Sequence, residues 1–359
     1  MFRTIINEWN PSPLVSIICI TFNHESYIKQ CLDGFVNQKT NFKIEIIIHD
    51  DASTDNTTNI IKEYEQKYPE IIKPIYQIEN QFSKIGYQFI DNLMFSCAES
   101  KYIAFCEGDD YWIDPLKLQK QVDFLESNND YGLVFSDVDF LFESENKTIN
   151  KVFQTNYYPL YSTFEEHLEK AGYLAPCTWL IRSSVLSKKQ KFATDWTFVT
   201  MLDLMLKTKI YFLPEVTAVY RFRAGSASKQ KQIKNRYTYL KGIFETSIHY
   251  CISYLPNNKF ENKIRKSGYI NLFYLAFYNK DWSFIKEAFL FFYKDRFIDR
   301  QNEYSKTKIL YFYFIGLIKM MRYLFVGFCK ISARRILILF KFNSNTIAKV
   351  DKMFRKYLN

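Results

Sequence analysis

Residues 14–21, 44–48 and 102–105 are three apolar runs of strand length, and each ends in a polar loop that leads into a segment with helical periodicity. The first run enters the loop at 21–26, after which Tyr27, Ile28, Cys31, Leu32, Phe35 and Val36 recur on one helical face. The second enters His49, Asp50 and Asp51, followed by Ile60, Ile61, Tyr64 and Tyr68 at the same spacing. The third enters Glu107, Asp109 and Asp110, and a helix is predicted over 116–125. Strands without polar alternation are buried on both faces, and strand–helix alternation with right-handed crossovers builds a parallel sheet. All strand-to-helix loops then lie on one rim, so the loops at 21–26, 49–55 and 106–112 are predicted to converge where open α/β sheets hold ligands. A further strand at 71–77 contains Pro74, which cannot donate to a ladder and belongs at an edge.

The acidic loop places three carboxylates where a buried strand becomes irregular. Charges this crowded repel, and a divalent cation with oxygen ligands is the simplest compensation. Taken alone, the same pattern fits an acidic turn that caps a helix.

A chain of 359 residues has room for one large core and a smaller second domain. Its seven cysteines are scattered singly among apolar neighbours with no C-x-x-C pair, which predicts reduced core thiols rather than zinc or disulfides. Polar residues and two prolines follow Arg3, so no signal peptide of the usual form is expected and the protein is placed in the cytoplasm. A helix is predicted at 87–98, before the third run; beyond residue 130, strands are predicted at 132–135, 177–182, 210–213 and 216–221, and helices at 164–171 and 195–207. From about 232 strand signals cease and aromatic-rich helices follow, two of which, around 237–254 and 262–293, are placed to pair as a hairpin. The resulting division is an arm at 1–13, an α/β domain at 14–230 and a helical region at 231–359.

Three stretches in order, Val15 to His24, Ile46 to Thr57 and Cys106 to Pro115, together resemble a family-2 glycosyltransferase of the A-type, Rossmann-like fold. Weaker marks at Glu79 to Gln81, Lys117 with Leu118, and Val219 to Arg221 agree, and the resemblance covers about residues 14 to 225. It implies that Thr21, Asn23 and Glu25 surround a nucleotide, and that Asp50 and Asp51 contact the base and ribose of a sugar nucleotide, a UDP-sugar being the expected donor. The alternative for Asp50 and Asp51 is capping of the following helix. Glu107 and Asp109 occupy the family's D-x-D position, with Glu replacing the first Asp. Asp109, with Asp110 nearby, is the expected ligand of Mn2+ or Mg2+, which stabilises the departing diphosphate as a Lewis acid. An inverting displacement also needs a general base for the acceptor hydroxyl. Asp195, at a helix start, matches that position; Asp203, inside the same apolar helix, is the rival. Arg221 and Arg223 suit diphosphate contact, Arg223 standing where relatives carry a His, although Arg221 paired with a core acid is a second reading. His24 and His49 read as structural loop residues, and Trp112 and Trp179 as core or as lining of the sugar site.

The charge is unevenly divided. Residues 301–359 hold twelve Lys and Arg against two acids, which accounts for the whole net charge of +10. Residues 309–329 approach spanning length, yet Lys319 and Arg322 lie mid-segment, each costing about 2.5–3.5 kcal/mol at a bilayer centre. The segment at 306–356 is therefore expected to lie on an anionic membrane surface, the alternative being a helix packed on the catalytic domain with a solvated basic face. Nucleic acid is not expected, since no binding motif accompanies the charge. The expected acceptor is a cell-surface glycan or glycolipid, and the expected location is peripheral, on the inner face of the cytoplasmic membrane. A processive synthase is disfavoured because several spans and a Q-x-x-R-W motif are missing. A sugar nucleotidyltransferase would want a Gly- and Lys-rich phosphate loop after the first strand. A non-catalytic glycan-binding or assembly protein retaining the fold finds support only in Glu107.

Overall fold

A computed structural model describes residues 12–86, 88–96, 99–161, 163–170, 174–186, 195–223, 233–255 and 259–297. The first half alternates as expected: β1 (Val15–Thr21), α1 (Ile28–Val36), β2 (Ile44–Asp50), α2 (Thr57–Lys67), β3 (Ile72–Tyr76), α3 (Gln81–Ile85), α4 (Gln88–Ser96), β4 (Tyr102–Glu107), β5 (Tyr111–Trp112) and α5 (Lys117–Ser127). Then come β6 (Tyr131–Phe142), β7 (Lys147–Ile149), α6 (Phe164–Lys170), β8 (Leu180–Arg182), α7 (Trp196–Lys207), β9 (Lys209–Phe222), α8 (Ile233–Tyr254), α9 (Lys259–Tyr278) and α10 (Trp282–Phe297).

One sheet runs β3-β2-β1-β4-β8-β6-β9-β5, with β7 on β6. The β3-β2-β1-β4 half is parallel, and β3, which carries Pro74, is its edge strand. Ile17 and Ile18 of β1 are fully buried together with Ile103 and Ala104 of β4, as two-sided burial of a parallel strand requires. Helix α1 sits hard against β5. A Cβ at Gly34 would come within 2.8 Å of the Trp112 carbonyl oxygen, so only a residue without a side chain permits the approach.

The second half is where periodicity misjudged lengths. The strand expected at 132–135 extends to twelve residues, and the strands expected at 210–213 and 216–221 are one strand, β9, whose pairing with β6 jumps from Ser136↔Leu213 to Asp137↔Val216. Pro214 and Glu215 are absorbed by that irregularity, a bulge rather than a break. Of the strand expected at 177–182 only Leu180–Arg182 pairs, because Pro176–Thr178 turns as a short 3-10 helix.

The chain divides into two compact units, Met1–Arg265 and Lys266–Asn359. The last described strand ends at Phe222, close to the expected limit of strand structure. However, α8 packs with the α/β part: Phe164, Leu168, Phe198, Leu202, Ile243, Ile248, Cys251 and Ile264 form one cluster from α6, α7, α8 and the start of α9. In the second unit the helical stretch expected as 262–293 is broken at residues 279–281, where Asp281 caps α10 by accepting from Phe284 N–H at 3.0 Å. Tyr269 packs on Phe284 and donates to Glu287, joining α9 to α10. The five described cysteines are free and buried. No described helix is long and apolar enough to cross a membrane; the basic segment at 306–356 lies outside the described residues.

Candidate active site

The parallel register aligns the strand ends. Thr21 is level with Asp50, and Ile20 with Glu107, so the loops after β1, β2 and β4 lie side by side. Main-chain bonds continue the ladder past the strands: Asp51 N–H donates to Thr21 O and Gly108 N–H to Ile20 O, both at 2.9 Å.

The first two loops are laced together by the residues expected at the nucleotide. Asn23, in the left-handed region with φ 54°, accepts from Thr54 N–H through its side-chain oxygen at 2.8 Å. Glu25 accepts from Asn56 N–H at 2.9 Å. Asp50 Oδ1 accepts from Ser53 N–H and its hydroxyl, and Asp50 Oδ2 from Thr58. Asp51 turns the other way: its two oxygens accept from Gln81 N–H and Phe82 N–H at the start of α3. Capping by Asp51 is therefore real but serves α3, a short helix that residues 81–85 did not announce, rather than the helix that follows directly.

The acidic loop is bound to the far end of β9. Asp110, 3% exposed, accepts from Arg221 N–H at 2.8 Å. Each nitrogen of the Arg221 guanidinium is engaged, donating to Asp109 O at 2.7 Å, Glu143 at 2.9 Å and Gln30 at 2.8 Å. Arg223 donates from Nε to Asp109 Oδ2 at 2.7 Å and from a terminal nitrogen to His24 Nε2 at 2.6 Å. An arginine can only donate, so His24 Nε2 accepts and the proton of the neutral ring sits on Nδ1. Burial lowers the His24 pKa, with Asp109 opposing, which agrees with a neutral ring. The buried His24 Nδ1 and Thr21 Oγ1 have no hydrogen-bond partner among the described residues. Both press on Gly108, where a Cβ would lie 2.9 Å and 2.8 Å from them. Glu107 is pushed up to about 8, chiefly by burial, then by the Asp109 and Asp195 charges, with Arg223 opposing. Asp110 is raised by burial and then by Asp109 and Glu107.

Asp195 thus reaches the same field from far along the chain. It is the N-cap of α7: Oδ1 accepts from Phe198 N–H at 3.0 Å and Thr197 at 2.6 Å, and Oδ2 accepts from the Tyr239 hydroxyl of α8 at 2.5 Å. Asp203, two turns or about 12 Å further along the helix, accepts from Tyr250 of α8 at 2.5 Å, a contact within the helical layer. Trp112 and Trp179 are core: both are buried, and their indole N–H groups donate to Cys177 O and Leu174 O. The glycine turn at 225–228 lies outside the described residues. Sequence reasoning missed four participants. His24 was visible beside Asn23 but carried no ligand spacing, while Gln30, Glu143 and Tyr239 are ordinary polar residues recruited only by the fold.

Residues 16–188 match the family model described as Glycosyl transferase family 2. Over that stretch, just under half of the chain, the protein carries a family-2 glycosyltransferase domain. An uncharacterized protein of Mycobacterium tuberculosis is 37% identical over 217 residues, 58% of this chain and 59% of its own length. The chain thus spans about three fifths of the curated relatives it matches first. An Escherichia coli relative, named as a UDP-Glc:alpha-D-GlcNAc-diphosphoundecaprenol beta-1,3-glucosyltransferase, is 28% identical over 68% of this chain and 93% of that one. In structure, a mannosyltransferase from Pyrobaculum calidifontis in complex with GDP-Man and Mn2+ aligns over 74% of each chain with a TM-score of 0.52 and 17% identity, a likeness of fold. The mixed sheet with its three aligned loops is accordingly the A-type glycosyltransferase fold, followed by C-terminal helices.

Proposed function

We propose that the protein moves a sugar from a nucleoside diphosphate, a UDP-sugar in the first instance, to a hydroxyl of a cell-surface glycan or lipid-linked acceptor, inverting the anomeric centre. The observation that carries the reading is the meeting of Glu107, Asp109 and Asp110 with Asp195 at the rim where β1, β2 and β4 end. Support for the acceptor class comes from the E. coli relative, whose name specifies a diphosphoundecaprenol-linked sugar.

In this reading Thr21, Asn23, Glu25, Asp50 and Asp51 shape the nucleotide cleft, and Arg223 meets the diphosphate. Arg221, with its partners already satisfied, holds the acidic loop on β9. The donor set suits a hard cation, since mutual repulsion and burial leave Glu107 and Asp110 reluctant to ionise. Among the described residues no group of three His, Cys, Asp or Glu is spaced to hold a metal; Asp109, backed by Asp110, would be the protein's contribution to holding one, together with oxygens of the bound diphosphate. Mn2+ or Mg2+ bound there would neutralise charge on the leaving group. Asp195 takes the proton of the acceptor hydroxyl as its oxygen attacks the anomeric carbon and the bond to the diphosphate breaks. Each carboxylate oxygen carries two lone pairs, so Oδ2 keeps an accepting position beside the Tyr239 hydroxyl. The protein works at the cytoplasmic face of the membrane, held there by its basic segment at 306–356.

The test is Asp195→Asn. Transfer should fall by about a hundredfold or more, while UDP-sugar with Mn2+ still raises the melting temperature of the variant. Unchanged turnover would move the base to another carboxylate, Asp203 first.

A further inference from the structure

The second unit carries an apolar surface where a water-facing helix should be polar. Ile270, Tyr274, Phe277 and Tyr278 recur at three- and four-residue spacing on the outer face of α9, and they are 60%, 44%, 55% and 59% exposed. Behind them Tyr269, Leu272, Phe273 and Ala276 are buried, so the last two turns of α9 are apolar on both faces. A helix apolar all round belongs in a core or against lipid, and an exposed patch of this kind marks a binding surface. Trp282, 59% exposed, continues the patch onto α10, its ring edge-on to Phe277 at 5.7 Å.

The chemistry of the patch and of its surroundings selects the occupant. Tyr and Trp present an apolar body with a polar tip, the composition favoured at the bilayer–water boundary. Lys266, Lys280 and Lys286 are exposed around it, and their stems can lie along apolar surface while the ammonium groups reach headgroups. The chain continues from the end of α10 for sixty-two residues that hold thirteen Lys and Arg against three acids. A second copy of the chain would set this positive surface against itself, whereas anionic lipid complements it. We propose that the outer face of α9, with Trp282, inserts into the headgroup region of an anionic bilayer as a contact additional to the basic segment. This extends the membrane docking proposed above and is independent of the sugar-transfer chemistry.

The experiment uses the full chain with vesicles of phosphatidylglycerol and phosphatidylcholine, and with phosphatidylcholine alone. The triple variant Ile270→Ser, Phe277→Ser, Trp282→Ser, with the basic segment intact, should sediment with the anionic vesicles about tenfold more weakly or worse. Its donor turnover in detergent-free buffer should match wild type, which separates loss of docking from loss of the transferase reading. A second measurement needs no disruptive change: in a Trp9→Phe background, brominated lipid should quench part of the tryptophan fluorescence, and adding Trp282→Phe should abolish that part, since the other three tryptophans, Trp112, Trp179 and Trp196, are buried. Equal sedimentation together with no Trp282-dependent quenching would overturn the proposal. So would a wild-type dimer in vesicle-free solution that the triple variant converts to monomer, because the face would then be a contact between copies.

Discussion

His167 tests the account of burial around the candidate base. The residue lies on α6 with 1% of its surface exposed, its ring stacked on Phe198 at a centroid distance of 5.3 Å. Neither ring nitrogen has a hydrogen-bond partner among the described residues. Burial pushes its pKa down to about 4, with the Asp195 charge opposing. Unfolded histidine titrates near 6.5, so between about pH 6.5 and 4 the unfolded chain binds a proton that the folded chain refuses. Stability therefore falls as pH drops through that window and is fully present above it. The whole window is worth about 3 kcal/mol, and the portion between pH 7.5 and 5.5 about 1 kcal/mol. His167→Leu should remove that share of the pH dependence. It should also stabilise the fold at pH 7.5 by roughly 1–3 kcal/mol, the cost of leaving buried polar atoms unpaired. Urea denaturation of both proteins at pH 7.5 and 5.5 measures both effects. His24 and His49, whose pKa values burial also lowers, leave a residual slope in the variant. Identical slopes in the two proteins, or a Leu variant weaker at both pH values, would mean that His167 is charged or paired in the folded state and would refute the argument.

Gly108→Ala asks whether the acidic loop can give way. Its new methyl would lie under 3.0 Å from Thr21 and His24, so the two loops must part, and KM for the donor should rise about tenfold or more with little change in melting temperature; wild-type KM would show that the loops are slack. Lys117 is fully buried, donates to Gln121 at 2.8 Å and lies 4.2 Å from the Trp112 ring centroid. Burial drops its pKa to about 7, so the unfolded chain holds the extra proton between about pH 7 and 10.5 and stability should climb by about 2 kcal/mol from pH 7 to 9. Lys117→Met should flatten that climb in urea titrations, and a variant retaining the full climb would place the titration elsewhere.

What the residues disclosed on their own was the part of the fold written in local patterns. The runs ending at Thr21, Asp50 and Glu107 are apolar without alternation, and each is followed by helical spacing, so a parallel arrangement with aligned loops followed from topology rules alone. The edge position of β3 followed from Pro74. Residues 176–178 and 214–215 were illegible for the opposite reason. Whether Pro214 breaks a strand or sits in a bulge depends on the partner strand β6, and whether residues 176–178 pair or turn depends on β4 and β6. Helix α3 was hidden because its five residues are too few to show a helical period; Asn80 caps it locally, and Asp51, thirty residues upstream, supplies acceptors for two more of its N–H groups.

The two arginines at the end of β9 show why side-chain roles stay open until the fold is known. Arg221 lies in the last pleat of β9 and Arg223 directly follows the strand, two residues apart, where the strand period sends alternate side chains to one face, while Phe222 between them stacks on Phe142 at 4.5 Å. From spacing alone they are equivalent phosphate ligands. In the fold, Arg221 is 8% exposed and its guanidinium is divided among Asp109 O, Glu143 and Gln30, partners 78 to 191 residues away in sequence. Moving it would leave a buried cation and several acceptors unpaired, at a cost of several kcal/mol. Arg223 is hydrogen-bonded to a carboxylate oxygen of Asp109 and to a neutral histidine, with the Tyr27 ring 5.6 Å from its guanidinium. A diphosphate can replace both with charge-assisted bonds of at least equal strength. The same exchange would free Asp109 Oδ2 as the donor arrives, which would tie the proposed cation ligand to occupancy of the nucleotide cleft rather than to the resting protein.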